Sequence, residues 1–203
     1  MTPFLQIIKK NKLENYFRKF ILYNNSNDLP YHNFFHTMCV MQNCFLIAYD
    51  LEMAELEIRA LLIAAMFHDF NHSGGKLKDT ENVKIAINGF LTASEEDDDV
   101  NNLVVDIIRA TEFPYVIPED ELTIYQKIIR DADLMQTFEK NYLQQNWIGL
   151  ASEMNSNLIL ALENSEKFWS NVKFHTDFAK KQSEKYMPSR FEDVKFLLNI
   201  LKK

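Results

Sequence analysis

Apolar side chains at Phe4, Ile7 and Ile8, and again at Tyr16, Phe17, Phe20 and Ile21, recur at three- and four-residue intervals. That period predicts helix over residues 4–23 with a break near Asn11. The run Asn24-Asn25-Ser26-Asn27-Asp28-Leu29-Pro30 is rich in turn formers and reads as a loop. A second helix is expected from Tyr31 to Asp50. The next, from Ala54 to Phe70, is apolar on nearly every side and must be the central buried helix. His72-Ser73-Gly74-Gly75-Lys76 forms a loop, and Thr80 to Leu91 is helical. Ser94 is expected to open a further helix, with Asp97 at capping-box spacing and the acidic run Glu95–Asp99 in a first turn that it complements electrostatically. Helices are also expected over Asn102–Thr111, Glu121–Gln136, Glu139–Glu153, Ser156–Ser170 and Arg190–Leu201, with Pro114, Pro118 and Pro188 marking breaks. Neither an internal repeat nor a linker interrupts the pattern. The expectation is a single all-α domain spanning residues 1–203.

Composition agrees with helices: four glycines and five prolines in 203 residues are too few for a sandwich or barrel with frequent tight turns. A net charge of −7 argues against a general nucleic-acid polymer binder, whose footprint is basic. Small anionic substrates stay open, because a bound metal can supply positive charge. Cys39 and Cys44, five apart on one predicted helix, lie about 8 Å apart by helical geometry and are expected as reduced thiols. With no apolar signal core near Met1 and no run approaching the roughly 20 apolar residues of a membrane span, a cytoplasmic protein without membrane contact is expected.

The chemistry concentrates in histidine. Of five histidines, four form i, i+4 pairs, His32 with His36 and His68 with His72. On a helix such a pair shares one face and can converge on a point. An isolated imidazole is ordinarily a polar residue of surface or core, and His175 reads that way. His68-Asp69 is different, because it ends the most hydrophobic segment of the chain. A carboxylate carried into a core is costly unless paired or coordinated, and residues 60–71 contain no Lys or Arg. A distant arginine is one solution. A metal cation accounts for imidazole and carboxylate together, with the donor types that suit Zn²⁺, Fe and Mn²⁺.

Four blocks then resemble the HD-domain metal-dependent phosphohydrolases, and among them the catalytic domain of cyclic-nucleotide phosphodiesterases. Tyr31-His32-Asn33-Phe34-Phe35-His36 is similar to the family's Tyr-His-Asn-x-x-His signature. His68-Asp69-Phe70-Asn71-His72-Ser73-Gly74 is similar to its His-Asp-x-x-His-x-Gly block. Ile108–Glu112 and Asp131-Ala132-Asp133-Leu134 resemble two weaker segments in the same order. The resemblance implies a motif core over residues 31–134 followed by C-terminal helices over 138–203. It implies two divalent ions, Zn or Fe/Mn at a tight site held by His36, His68, Asp69 and Asp133, and Mg or Mn at a second site bridged by Asp69 with His72 nearby. His32 would protonate the departing oxygen, and Glu81 would orient the hydroxide bridging the metals. Helical phase favours Asp131 over Asp133 as the inward carboxylate, whereas the family segment favours Asp133.

The implied activity is hydrolysis of a cyclic nucleotide or another small phosphorylated substrate. A nucleotidase or alarmone hydrolase of the HD type is the alternative, and a non-catalytic metal-binding signalling module a third. Departures from the pattern bear on substrate: Ser73 stands where proline is usual, and Met135-Gln136 follows Leu134. The glutamine and phenylalanine that grip the purine in the family have only compositional candidates here, Gln182, Phe168, Phe174 and Phe178.

Overall fold

A computed structural model describes all residues, Met1–Lys203, as helices and connecting loops without a strand. Helix α1 (Pro3–Lys10) and α2 (Glu14–Tyr23) are separated at the expected point. There the Asn11 side chain donates to the Ile7 carbonyl at 2.9 Å, and Lys12 takes a left-handed φ of 55°. Helix α3 (Phe34–Asp50) starts three residues later than the apolar period alone suggests, because Asn33 caps it by accepting the His36 N–H at 3.1 Å. Tyr31 and His32 therefore precede the helix.

Helix α4 (Glu55–Phe67) is the central element. Its residues from Ala60 to Phe67 are each 1% exposed or less, and α2, α3 and α6 (Asp98–Arg109) pack around it. The helix ends one residue before His68, so His68–His72 form turns and not a helical face. Helices α5 (Asp79–Ala93) and α7 (Ile124–Leu134) complete the surround, α7 against α3. A main core of 37 buried residues runs through these elements, and five more, including Tyr142, Trp147 and Leu198, form a second cluster under the C-terminal helices. No helix is long and apolar enough to cross a membrane. Cys39 and Cys44 are buried free thiols.

Three expectations need correction. Ser94 opens no helix; it ends α5, its hydroxyl being held by the Asn101 side chain at 2.5 Å, and Asp97 caps α6 by accepting the Val100 N–H at 3.0 Å. One helix, α6, replaces the two predicted there. Residues 139–153 are not one regular helix but a π-helical segment (Leu143–Gly149) leading into the short α8 (Leu150–Glu153). After α9 (Leu158–Asn171), Pro188 lies inside the 25-residue α10 (Asp177–Leu201) and breaks nothing. The missing N–H costs one helical bond. The helix is anchored on both sides of it by buried Met187, Val194 and Leu198, and by Arg190, which donates to the Thr137 and Phe138 carbonyls.

Gly89 on α5 sets the position of the loop after α4. A β-carbon there would fall 2.3 Å and 2.7 Å from two ring atoms of Phe70, a ring wedged against Phe20 and Phe67. Gly89→Ala is expected to destabilise the fold by about 1–3 kcal/mol, overpacking outweighing the better helix propensity of alanine. A thermal melt checks this, and an unchanged midpoint would show that Phe70 is free to move.

Candidate metal centre

His36 lies in the first turn of α3 and is fully buried. Its Nδ1 sits 2.5 Å from Gln136 Oε1, an acceptor, so the proton belongs on Nδ1. His68 caps the end of α4 and gives its Nδ1 proton to the Ala65 carbonyl at 2.9 Å. Both rings are thus fixed with Nε2 bare, and the two Nε2 atoms face each other at 3.2 Å. Asp69 Oδ2 lies 3.0 Å from His68 Nε2 and 3.2 Å from His36 Nε2. Asp133 Oδ1 lies 3.1 Å from His36 Nε2 and 3.9 Å from His68 Nε2. When both rings are neutral, His36 Nε2, His68 Nε2 and the Asp69 oxygen form a close group of three lone-pair atoms, with Asp133 against His36 at its edge. Around a tetrahedral zinc with bonds of about 2.0–2.1 Å, neighbouring ligand atoms stand about 3.3–3.4 Å apart; the His36, His68 and Asp69 atoms, at 3.0–3.2 Å, come near that spacing, and Asp133 stands further out, 3.9 Å from His68 Nε2.

The same crowding governs protonation. Burial opposes charge on His36, but Asp133 and Asp69 outweigh it and lift the imidazole to about 10. Burial likewise opposes charge on His68, and Asp69 raises it. Asp69 is held well below the usual carboxylate range, the adjacent imidazoles of His68, His32 and His36 overcoming its burial. The chain's own groups draw protons into the centre, and a divalent cation would take their place.

A second cluster adjoins the first, with the His32 and His36 ring centroids 5.8 Å apart. Glu153, at the end of α8, accepts the Tyr31 and His32 backbone N–H groups on Oε2 at 2.9 Å and 3.0 Å, and its Oε1 contacts His32 Nδ1. Burial would raise the Glu153 pKa, but the bonds from His32 hold it below its ordinary value. His72 Nδ1 lies 3.6 Å from the same Oε1. The Asn82 side-chain nitrogen is 2.9 Å from His72 Nε2, and Asp79 Oδ1 is 3.9 Å from it.

The histidine pairs are therefore crossed relative to the i, i+4 spacing. His36 partners His68, and His32 stacks on His72 with centroids 3.7 Å apart. Neither sequence pair shares a helix, since His32 lies before α3 and His72 after α4. Glu81 is not brought to the site: its carboxylate is exposed and pairs with Lys84, and Asp79, one helical half-turn earlier, is the acid that faces His72. Asp131 is fully buried, as helical phase demands, but it accepts the His175 and Thr176 N–H groups and the Thr176 hydroxyl at 2.7–3.1 Å. It anchors the start of α10, while Asp133 reaches the histidines. Glu153, Asp79, Asn82 and Gln136 had no motif to announce them; a carboxylate flanked by Leu150, Ala151 and Met154 was the one faint signal.

The second cluster lines a cavity of about 550 Å³ through His32, His72, Asp79 and Asn82, and the first reaches it through Asp133; Phe113, Tyr115, Phe168 and Trp169 also line it. Of the proposed purine-gripping residues only Phe168 is there; Phe174 and Phe178 pack on the core. A larger cavity of about 720 Å³ between α2 and α5 shares none of these residues and contains no histidine.

Residues 31–87 match the family model for 3'5'-cyclic nucleotide phosphodiesterase. The matched stretch carries His32, His36, His68, Asp69 and His72 and makes the chain phosphodiesterase-like there; Asp133 and Glu153 lie beyond it. No solved structure matches the chain.

Two predictions follow from this geometry. Asp131→Asn should lower stability by about 1–3 kcal/mol through poorly paired buried N–H groups while keeping metal content, and Asp133→Asn should do the reverse. Chemical denaturation with elemental analysis separates them. In the metal-free chain His36 has a folded pKa raised from 6.5 to about 10, so its contribution to stability is full below pH 6.5 and disappears as pH rises through about 10. Metal binding needs the deprotonated ligand and weakens instead as pH falls. Melts across that range, with and without chelator, should slope in opposite senses; parallel curves would count against a cation in this centre.

Proposed function

We propose that this chain is a divalent-metal-dependent phosphohydrolase that opens the phosphodiester of a 3',5'-cyclic nucleotide. The observation that carries the reading is the juxtaposition of the His36–His68–Asp69–Asp133 centre with a His32–Glu153 pair, His32 and Asp133 lining one cavity. The match over residues 31–87 supports the same class of substrate.

His36, His68, Asp69 and Asp133 would hold the tighter ion, Zn or Fe/Mn, and Asp69 would reach toward a second, Mg or Mn. Bound divalent cations supply Lewis acidity toward the phosphoryl oxygens and toward water. The chain's own residues do the rest. Glu153 accepts the Nδ1 proton of His32 and orients the ring. The Nε2 proton is then the one to be delivered to the departing 3' oxygen. His72, held by Asn82 and facing Asp79, borders the side from which water attacks, and Asp79 takes the orienting role first given to Glu81. A cavity of about 550 Å³ falls within the roughly 300–1,000 Å³ of small-molecule sites, fitting a mononucleotide and not a polymer.

The test is a panel of cyclic nucleotides, nucleoside monophosphates and a guanosine polyphosphate, each with Mn²⁺, Mg²⁺ and Zn²⁺. Turnover of a cyclic nucleotide is expected, and turnover of a monophosphate alone would transfer the site to nucleotidase chemistry. His32→Ala should keep its metal and lose about 10²–10⁴-fold in kcat, whereas His68→Ala and Asp69→Ala should lose metal and activity together. Equal metal loss in all three would overturn these roles.

A further inference from the structure

His32, His72 and Glu153 each present a nitrogen or oxygen within 4.8 Å of the other two, and these donors are separate from the four of the first centre. His32 Nδ1 contacts Glu153 Oε1, and His72 Nδ1 lies 3.6 Å from that oxygen. The two rings are stacked 3.7 Å apart and tilted by 31°, so both edges face the one carboxylate. The Gly74 N–H also lies 3.2 Å from His72 Nδ1. Glu153 is fixed from behind by the Tyr31 and His32 backbone N–H groups. Two imidazoles and one carboxylate, with a fourth position open to the cavity, form the donor set of a three-ligand zinc site.

We propose that His32, His72 and Glu153 form an inhibitory zinc site, filled only when Zn²⁺ exceeds what the His36 centre takes. The inference rests on the phosphohydrolase reading for its consequence, though not for the binding itself. Zn²⁺ here replaces the proton shared by His32 Nδ1 and Glu153, with that contact opening to about 3.3 Å and displacement of the Gly74 N–H. The ring keeps an Nε2–H, but as a neutral zinc-bound imidazole it releases that proton less readily than imidazolium does. Proton delivery to the leaving oxygen fails while the first centre stays intact.

Equilibrium dialysis of the zinc-loaded chain against excess Zn²⁺, followed by elemental analysis, is the test. Wild type should hold one more zinc than either His32→Asn or Glu153→Gln, and all three should hold the same number when zinc is limiting. Equal uptake by all three in excess zinc would overturn the site. Zinc-edge anomalous scattering from wild-type crystals should give a peak between the His32 and His72 rings, and a peak only at His36 overturns the site without reliance on any variant. In wild type, kcat should fall by about 10²-fold at saturating zinc, the lower part of the range for losing a general acid. Extra zinc at His32 in a chain that hydrolyses nothing supports the site and refutes the phosphohydrolase reading. Undiminished hydrolysis with His32 occupied overturns the inhibitory role alone.

Discussion

Two bare imidazole nitrogens and two carboxylate oxygens meet at 3.0–3.9 Å at the edge of an apolar core, and the molecule is organised around that demand for positive charge. Uncompensated, such a group of acceptors is costly in a medium that screens poorly. Protons can answer the demand in part, as the raised pKa values of His36 and His68 record. A divalent cation would answer it more fully, because His36, His68 and Asp69 each bring a lone pair within reach of one atom, with Asp133 close by. The central helix α4 makes the demand severe: its last two turns are 1% exposed or less, and they end directly on His68 and Asp69.

The two clusters differ in what stands behind each imidazole. His36 and His68 give their Nδ1 protons to neutral acceptors, an amide and a peptide carbonyl, so their Nε2 atoms remain basic toward the centre. His32 has a carboxylate, that of Glu153, behind Nδ1 instead. In the proposed function the rings backed by neutral acceptors are the ligands and the ring backed by a carboxylate is the acid. Residue type is identical in the two cases; the acceptor behind the ring is what distinguishes them.

The sequence period located nearly every helix, because α4, α6 and α7 have well-marked apolar faces and side-chain caps. It misplaced Ser94, whose spacing to Asp97 fits a capping box but whose hydroxyl is committed to Asn101. Pro188 misled for a related reason: local chemistry predicts a break, and long-range anchoring by Arg190 keeps α10 continuous. At the centre, His36, His68, Asp69 and Asp133 were all legible before any coordinates, the last through its motif and against helical phase. Phase was sound about Asp131 being inward. It could not say that the inward carboxylate meets peptide N–H groups and not a histidine. Glu153 was out of reach, since its partnership with His32 spans 121 positions and leaves no periodic trace.

That long separation bears on why the phosphodiesterase-like stretch, residues 31–87, is not a self-sufficient site. It supplies three of the four centre residues, but the acceptor that sets the His36 tautomer is Gln136 and the one behind His32 is Glu153. Both belong to the C-terminal half. Gln136 sits in a 3-10 turn (Met135–Phe138) whose Thr137 and Phe138 carbonyls are gripped by Arg190, while Asp131, one turn earlier, holds the start of α10. The C-terminal helices thus act on the centre without touching it. They fix which nitrogen of His36 carries a proton, and with it whether its Nε2 can present a lone pair to the centre.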